Sequence, residues 1–224
     1  MKKFTLTLII ILALVFINSN IYSADMNRRE SKINKAKEVL KEMASREDRA
    51  GAFGQLEGIV ILPKLIKMEL GFGVQFGEGL VFRKDNYTKK WYGPAFIEIK
   101  TASVGPQVGI QDISLILLVM DDVGMAGFKK ADFDIEANFS IAPGPLGDSL
   151  QADIDFNDSI YTYSYSKGIY AGFTLEGSVV HADRGENKAF YGRSISSQEI
   201  LDAQETDNEI ALQLVDLIEN ISQK

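Results

Sequence analysis

Apolar and polar positions change their spacing twice along the chain. From Met26 to about Arg49, Ile33, Ala36, Leu40, Met43 and Ala44 recur three and four residues apart, while Arg28, Arg29, Lys32, Lys35, Lys37 and Lys41 hold the polar side. This spacing predicts an amphipathic helix. Its narrow apolar stripe and basic flank suit either docking on a domain or lying on an anionic membrane surface, with Ile33, Lys37, Leu40 and Lys41 as membrane-facing candidates. From Gly58 to about Asp183 the pattern becomes short apolar or alternating runs separated by Gly, Pro, Asn and Asp. These runs are Gly58–Leu62, Leu70–Arg83, Ala95–Thr101, Val104–Gln111, Ser114–Met120, Phe133–Ile141, Gln151–Phe156, Ile160–Tyr165 and Ile169–Val180, and they predict antiparallel β structure. Phe133–Ile141 alternates strictly and reads as one half-buried strand. Ile113–Met120 is almost wholly apolar and belongs at the centre of a sheet. Beyond Asp207, a candidate cap, Ile210, Leu214, Leu217, Ile218 and Ile221 form one stripe opposite Glu209, Asp216 and Glu219. The expected class is therefore α+β: an antiparallel, mainly β core with an N-terminal amphipathic helix and a C-terminal helix.

The first residues follow another rule. Lys2 and Lys3 precede the uncharged run Phe4–Ile17, and a polar stretch ending in small residues runs from Asn18 to Ala24. The run falls short of the roughly 20 apolar residues that a spanning helix needs. A cleaved secretory signal over residues 1–23 is the better reading. It leaves a domain over 24–205 and the C-terminal amphipathic helix over 206–224. The expected location is exported, periplasmic or secreted, with peripheral membrane association.

Composition narrows the chemistry. The 224 residues contain no Cys and one His, which excludes thiol chemistry, Cys-ligated zinc, a lipoprotein anchor and a His-rich metal site. Without residues 1–23, 22 basic side chains face 31 acidic ones, a net −9. The imbalance is uneven: residues 24–130 carry +3 and residues 131–224 carry −12. An acidic chain does not suit nucleic acid, yet this distribution leaves room for a local basic surface.

The motifs that invite catalytic readings fail on context. Glycines between Gly71 and Gly79 lie in a strand-like segment with no following helix and no P-loop lysine, so they suit bulges or close backbone approach. Asp153, Asp155 and Asn157 resemble the start of a calcium loop, but Asp158 stands where glycine is required and Ser164 where Glu is required. Asp121-Asp122 suits a turn. His181 ends a strand-like run with no nucleophile motif beside it. No enzyme, metal or cofactor is expected.

The basic residues are more informative. Lys64 and Lys67 follow Pro63; Arg83 and Lys84 open a polar turn that Lys89 and Lys90 close, immediately before Trp91 and Tyr92. Four cations beside two aromatics suit a headgroup surface, and equally an ordinary solvated hairpin with Trp91 partly in the core. The lipid-binding candidates are Lys64, Lys67, Arg83, Lys84, Lys89, Lys90 and Trp91.

A set of blocks in fixed order carries a family resemblance over Ala36 to about Leu201. They are Gly58–Pro63, the glycines Gly71 to Gly79, Trp91-Tyr-Gly-Pro94, Gly105-Pro-Gln107-Val-Gly109, Ala142-Pro-Gly144-Pro-Leu-Gly147, Tyr163–Gly177, Asn187 and Tyr191-Gly192. The chain resembles the SYLF domain family. The resemblance implies a phospholipid-binding domain that meets membranes through basic residues and an N-terminal helix; fungal members regulate cortical actin. This chain departs from the pattern at Tyr92, where a small hydroxyl residue is usual, and at Asp148, where a basic residue is usual. The expected function is non-catalytic binding of an anionic phospholipid or membrane surface. The alternatives are an envelope structural or interaction protein that meets a protein partner through the C-terminal helix, and an enclosed-lipid carrier. Actin is not expected as a partner, because an exported protein would not meet it.

Overall fold

The computed structural model describes residues 26–45, 53, 56–135, 139–144, 157–166, 169–171, 175 and 177–222. The leader reading, Pro145–Gly147, Asp148 and the run Gln151–Phe156 lie outside them.

Helix α1 covers residues 26–44. Two long strands follow, β1 (Gly58–Lys84) and β2 (Trp91–Val119), paired antiparallel from Lys84↔Trp91 to Gly58↔Val119. The rest is short: α2 (Asp122–Phe128), β3 (Asp132–Asp134), β4 (Ile141–Pro143), β5 (Ile160–Ser166), β6 (Ile169–Ala171), β7 (Ser178–Ala182), α3 (Arg184–Tyr191), α4 (Ser197–Ala203) and α5 (Glu209–Ser222). Among the described residues the strands make one seven-stranded sheet, and only β4 pairs parallel. β2 is its axis. Ile97–Thr101 pairs with β7 and Ser114–Val119 with β5, on the edge opposite β1. The expected α+β class and both terminal helices are present.

The five separate runs read from Gly58 to Met120 are thus two strands. Register shifts at Leu62/Leu65, Leu70/Phe72 and Val81/Arg83 let β1 bend without breaking its ladder. The bend brings its ends together: the Lys84 amide donates to the Glu57 carbonyl at 2.8 Å. Glycine makes the approach feasible. A Cβ on Gly79 would lie 2.9 Å from Leu62 Cγ, and one on Gly58 2.7 Å from the Phe82 carbonyl oxygen.

Two apolar layers cover the sheet. On one face α1 contributes Ile33, Ala36, Leu40 and Met43, and α5 contributes Ala211, Leu214, Ile218 and Ile221, against Ile59, Ile61, Leu80, Phe82, Phe96, Ile116 and Leu118. On the other, Met125 and Phe128 of α2 and Ile200 and Leu201 of α4 pack on Val60, Leu62, Val81, Ile97, Leu115 and Leu117. Burial of a Leu or Ile side chain contributes about 1.5–3 kcal/mol, so docking accounts for both helical stripes. Consequently Ile33 and Leu40 are fully buried and cannot face a membrane, while Lys41 stays exposed and Lys37 donates to Gln213 Oε1 of α5 at 2.7 Å. The α5 stripe is likewise occupied inside the fold, which removes it as a surface for a protein partner.

Three local expectations change. Phe133–Ile141 is not one strand: β3 and β4 lie at opposite ends of the sheet, and the Phe139 ring meets Phe133 edge-to-face with centroids 5.6 Å apart. A straight strand would separate those residues by about 20 Å. Ile169–Val180 is divided between β6 and β7, with Gly177 at φ 69° before β7. The cap of α5 is Asn208, whose Oδ1 accepts from the amides of Ile210 and Ala211, instead of Asp207.

Candidate functional site

The turn at the hairpin tip is built by Asp85. Its Oδ1 accepts from the amides of Tyr87 at 2.9 Å and Thr88 at 2.8 Å, which holds the carboxyl below its ordinary range. Lys89 follows in the left-handed region at φ 60°. The cations around this turn are mostly engaged. Arg83 Nη1 donates to the Leu201 carbonyl at 3.2 Å, and Lys84 Nζ sits 6.0 Å from the centre of the Trp91 ring. Lys90 Nζ binds Glu205 at 2.7 Å, and that hydrogen bond raises the lysine above its ordinary range. Trp91 is only 5% exposed and belongs to the core, so it is not available to a bilayer. Glu219 of α5 shares a shallow cavity with Lys84, Lys89 and Trp91, adding negative charge beside the tip.

A different arrangement occupies the bend of β1. Arg28, Lys32 and Lys35 recur at helical spacing on the first turns of α1, and with Ser31 they face Pro63, Lys64, Ile66, Phe76 and Glu78 of β1 across a cavity of about 290 Å³. Four cations thus line it against one carboxylate. Lys32 Nζ binds Glu78 Oε2 at 2.6 Å and lies 5.5 Å from the centre of the Phe96 ring. Arg28 contacts Glu186 Oε1, and buried Arg29 donates from Nε to Glu186 Oε2 at 2.9 Å, which ties the start of α1 to α3. Lys64 reaches Asp112 at 3.3 Å, but both side chains are more than half exposed. Such a pair is worth at most about 1 kcal/mol and exchanges readily for another anion. Of the candidates read from sequence, Lys64 alone enters this cavity. Lys67 is the near neighbour that does not, being held by Glu69 at 3.0 Å.

Two of the described residues with catalytic or metal-binding appeal, Asp121 and His181, make contacts within the fold. Asp121 caps α2, accepting from the Gly124 amide and the Ser159 hydroxyl, each at 2.7 Å. His181 Nδ1 lies 2.6 Å from Asp132 Oδ1, a pairing between facing residues of neighbouring strands. Among the described residues no cluster of three His, Asp or Glu side chains is placed to hold a metal ion.

Residues 100–221, more than half of the chain, match the family described as "Ysc84: Las17-binding protein actin regulator". The chain belongs to the Ysc84 (SYLF) family. It is 28% identical over 207 residues to the SH3 domain-containing YSC84-like protein 1 of Xenopus laevis, covering 87% of this chain and 61% of that protein. The human protein of the same name is 28% identical over 185 residues, covering 77% of this chain and 53% of its own length. Protein YSC84 of Saccharomyces cerevisiae is 28% identical over 152 residues, covering 65% and 32%. The chain therefore spans about three-fifths or less of each of these relatives. No solved structure matches it. The family description overturns the expectation that actin is not a partner, since it names actin regulation outright. It designates a regulator.

Residues that carry the SYLF resemblance prove to hold the fold together. Buried Asn187 of α3 accepts from the Phe96 amide at 2.8 Å and donates to the Phe96 carbonyl at 3.3 Å, pinning α3 to β2. The Tyr191 hydroxyl donates to the Pro94 carbonyl at 3.0 Å, and burial pushes its ionisation far above the ordinary range. Gly93 sits at φ 129° with the Val81 carbonyl oxygen 2.7 Å from where a Cβ would be. The cations of the cavity carry none of these blocks. Sequence reading placed Arg28, Lys32 and Lys35 on a helix flank, but nothing in the sequence joins that flank to Lys64.

Proposed function

We propose that this SYLF domain binds anionic phospholipid without catalysis, at a membrane surface reached after export. The observation that supports this reading is the cavity between α1 and the β1 bend, which Arg28, Lys32, Lys35 and Lys64 line together with the apolar Pro63, Ile66 and Phe76. Phosphate oxygens accept from such ammonium and guanidinium groups, and the apolar part of the lining suits the glycerol and first methylenes below a headgroup. Cations near an anionic bilayer contribute about 1 kcal/mol each. Among the described residues no helix is long and apolar enough to cross a membrane, so the attachment we propose is peripheral.

Vesicle co-sedimentation tests the reading. The full chain should pellet with phosphatidylglycerol-containing vesicles, weaken as salt rises, and pellet less with neutral vesicles. Equal pelleting with both would end the proposal.

The family match favours a second reading, in which the domain contributes to actin regulation as its relatives' family description states. Co-pelleting of the chain with filamentous actin in the absence of lipid would support it.

A further inference from the structure

The apolar alternation in β1 continues past the cavity into the open. Met68, Leu70, Phe72, Val74 and Phe76 are 46%, 68%, 63%, 40% and 41% exposed. They occupy every second position of one strand, so they share one face of the sheet, and Ile110, the register partner of Met68, is 78% exposed beside them. Gly73 and Gly77, on the opposite face of the same strand, are buried. The usual assignment of apolar residues to the covered face is inverted here. The stripe is about 27 Å long at ordinary strand rise, and no charged side chain interrupts it from Met68 to Phe76 on its face of β1. Contiguous exposed apolar surface of this kind marks a docking site.

Charge says what docks. Phe76 belongs both to the stripe and to the cationic cavity, together with Lys32, Lys35 and Lys64. Lys100, the register partner of Phe76, lies 5.9 Å from the centre of its ring. The carboxylates bordering the stripe, Glu78, Glu98 and Asp112, are each bound to a lysine. A long apolar band with lysines at its end fits an anionic bilayer, with acyl carbon under the stripe and phosphates at the lysines. We infer that the bend of the β1–β2 hairpin is a membrane-insertion edge, in which Leu70, Phe72 and Val74 enter the acyl region while the cavity at Phe76 holds a headgroup. This inference rests on the anionic-lipid reading and adds to it the apolar half of the contact.

The chain has no Cys, so a single Phe72→Cys substitution accepts an environment-sensitive fluorophore at one site. Tyr87→Cys, at the 98% exposed position of the hairpin tip, serves as the reference. With the full chain and vesicles of equimolar phosphatidylglycerol and phosphatidylcholine, the label at position 72 should shift to shorter wavelength and be quenched by nitroxides on the acyl chains. The label at 87 should change little. The double variant Leu70→Ser/Phe72→Ser should lose roughly a hundred-fold or more in affinity for these vesicles, with its unfolding midpoint unchanged. If the protein pellets with anionic vesicles while the label at 72 stays in water, insertion is wrong and the headgroup reading survives. If pelleting shows no preference for anionic vesicles, the headgroup reading fails and insertion with it. A shift at 72 that needs no lipid and grows with protein concentration would overturn the inference in favour of a second copy covering the stripe.

Discussion

The tip and the bend of one hairpin carry similar residues to different effect. At the tip, Arg83, Lys84 and Lys90 stand beside an aromatic, yet each has a partner inside the protein: the Leu201 carbonyl, the Trp91 ring and Glu205. At the bend, Lys35 and Lys64 line a cavity together with Pro63, Ile66 and Phe76, and its neighbour is an exposed apolar stripe. Local sequence density of cations is therefore a poor guide. Cations in both regions have carboxylate partners; what separates the regions is the apolar cover, because Trp91 at the tip is closed into the core while Phe76 and the stripe beside it at the bend stay exposed.

That contrast can be broken in several places. The largest effect belongs to Trp91→Ala at the tip. It removes a 5% exposed indole from the main core and should destabilise by about 3–5 kcal/mol in denaturant titration. The fraction that remains folded should bind anionic vesicles as before. An unchanged unfolding midpoint with lost vesicle binding would instead make Trp91 an interfacial anchor. Next comes Glu186→Ala, which leaves Arg29 buried without its carboxylate. Removing one member of a buried pair is strongly destabilising, here by about 3 kcal/mol. Because Glu186 also holds Arg28, this variant should lose stability and vesicle affinity together, unlike the tip variant.

The fold was largely legible because its signals are local. The 3.6-residue stripe of Ile33, Leu40 and Met43 and that of Leu214, Ile218 and Ile221 named both terminal helices, and the apolar run Ile113–Met120 named the strand that β1 and β5 flank. The short helices α2, α3 and α4 were missed because two turns carry too little periodicity, and Asp121-Asp122, read as a turn, is instead the cap and first residue of α2. A signal for α4 was present in Ser196 and Glu199, which form a reciprocal capping box. The site was far less legible. Alternation from Met68 to Phe76 announces two faces of a strand, but which face is covered depends on how β1 bends, and that is fixed by register shifts and by contacts such as Lys84 to Glu57. Likewise Arg28 and Lys64 are 36 positions apart in sequence and come to one cavity only in the folded chain, where the buried stripe of α1, the Lys32–Glu78 pair and Glu186 together set α1 beside the bend.

The most direct test compares the two regions by charge. Lys35→Ala/Lys64→Ala at the bend and Lys89→Ala/Lys90→Ala at the tip remove the same formal charge from exposed positions. At about 1 kcal/mol per cation near an anionic surface, the bend pair should weaken co-sedimentation with phosphatidylglycerol-containing vesicles by roughly 30-fold. The tip pair should change it by less than about two-fold. Equal losses, or a larger loss from the tip pair, would contradict the assignment of the membrane surface to the bend.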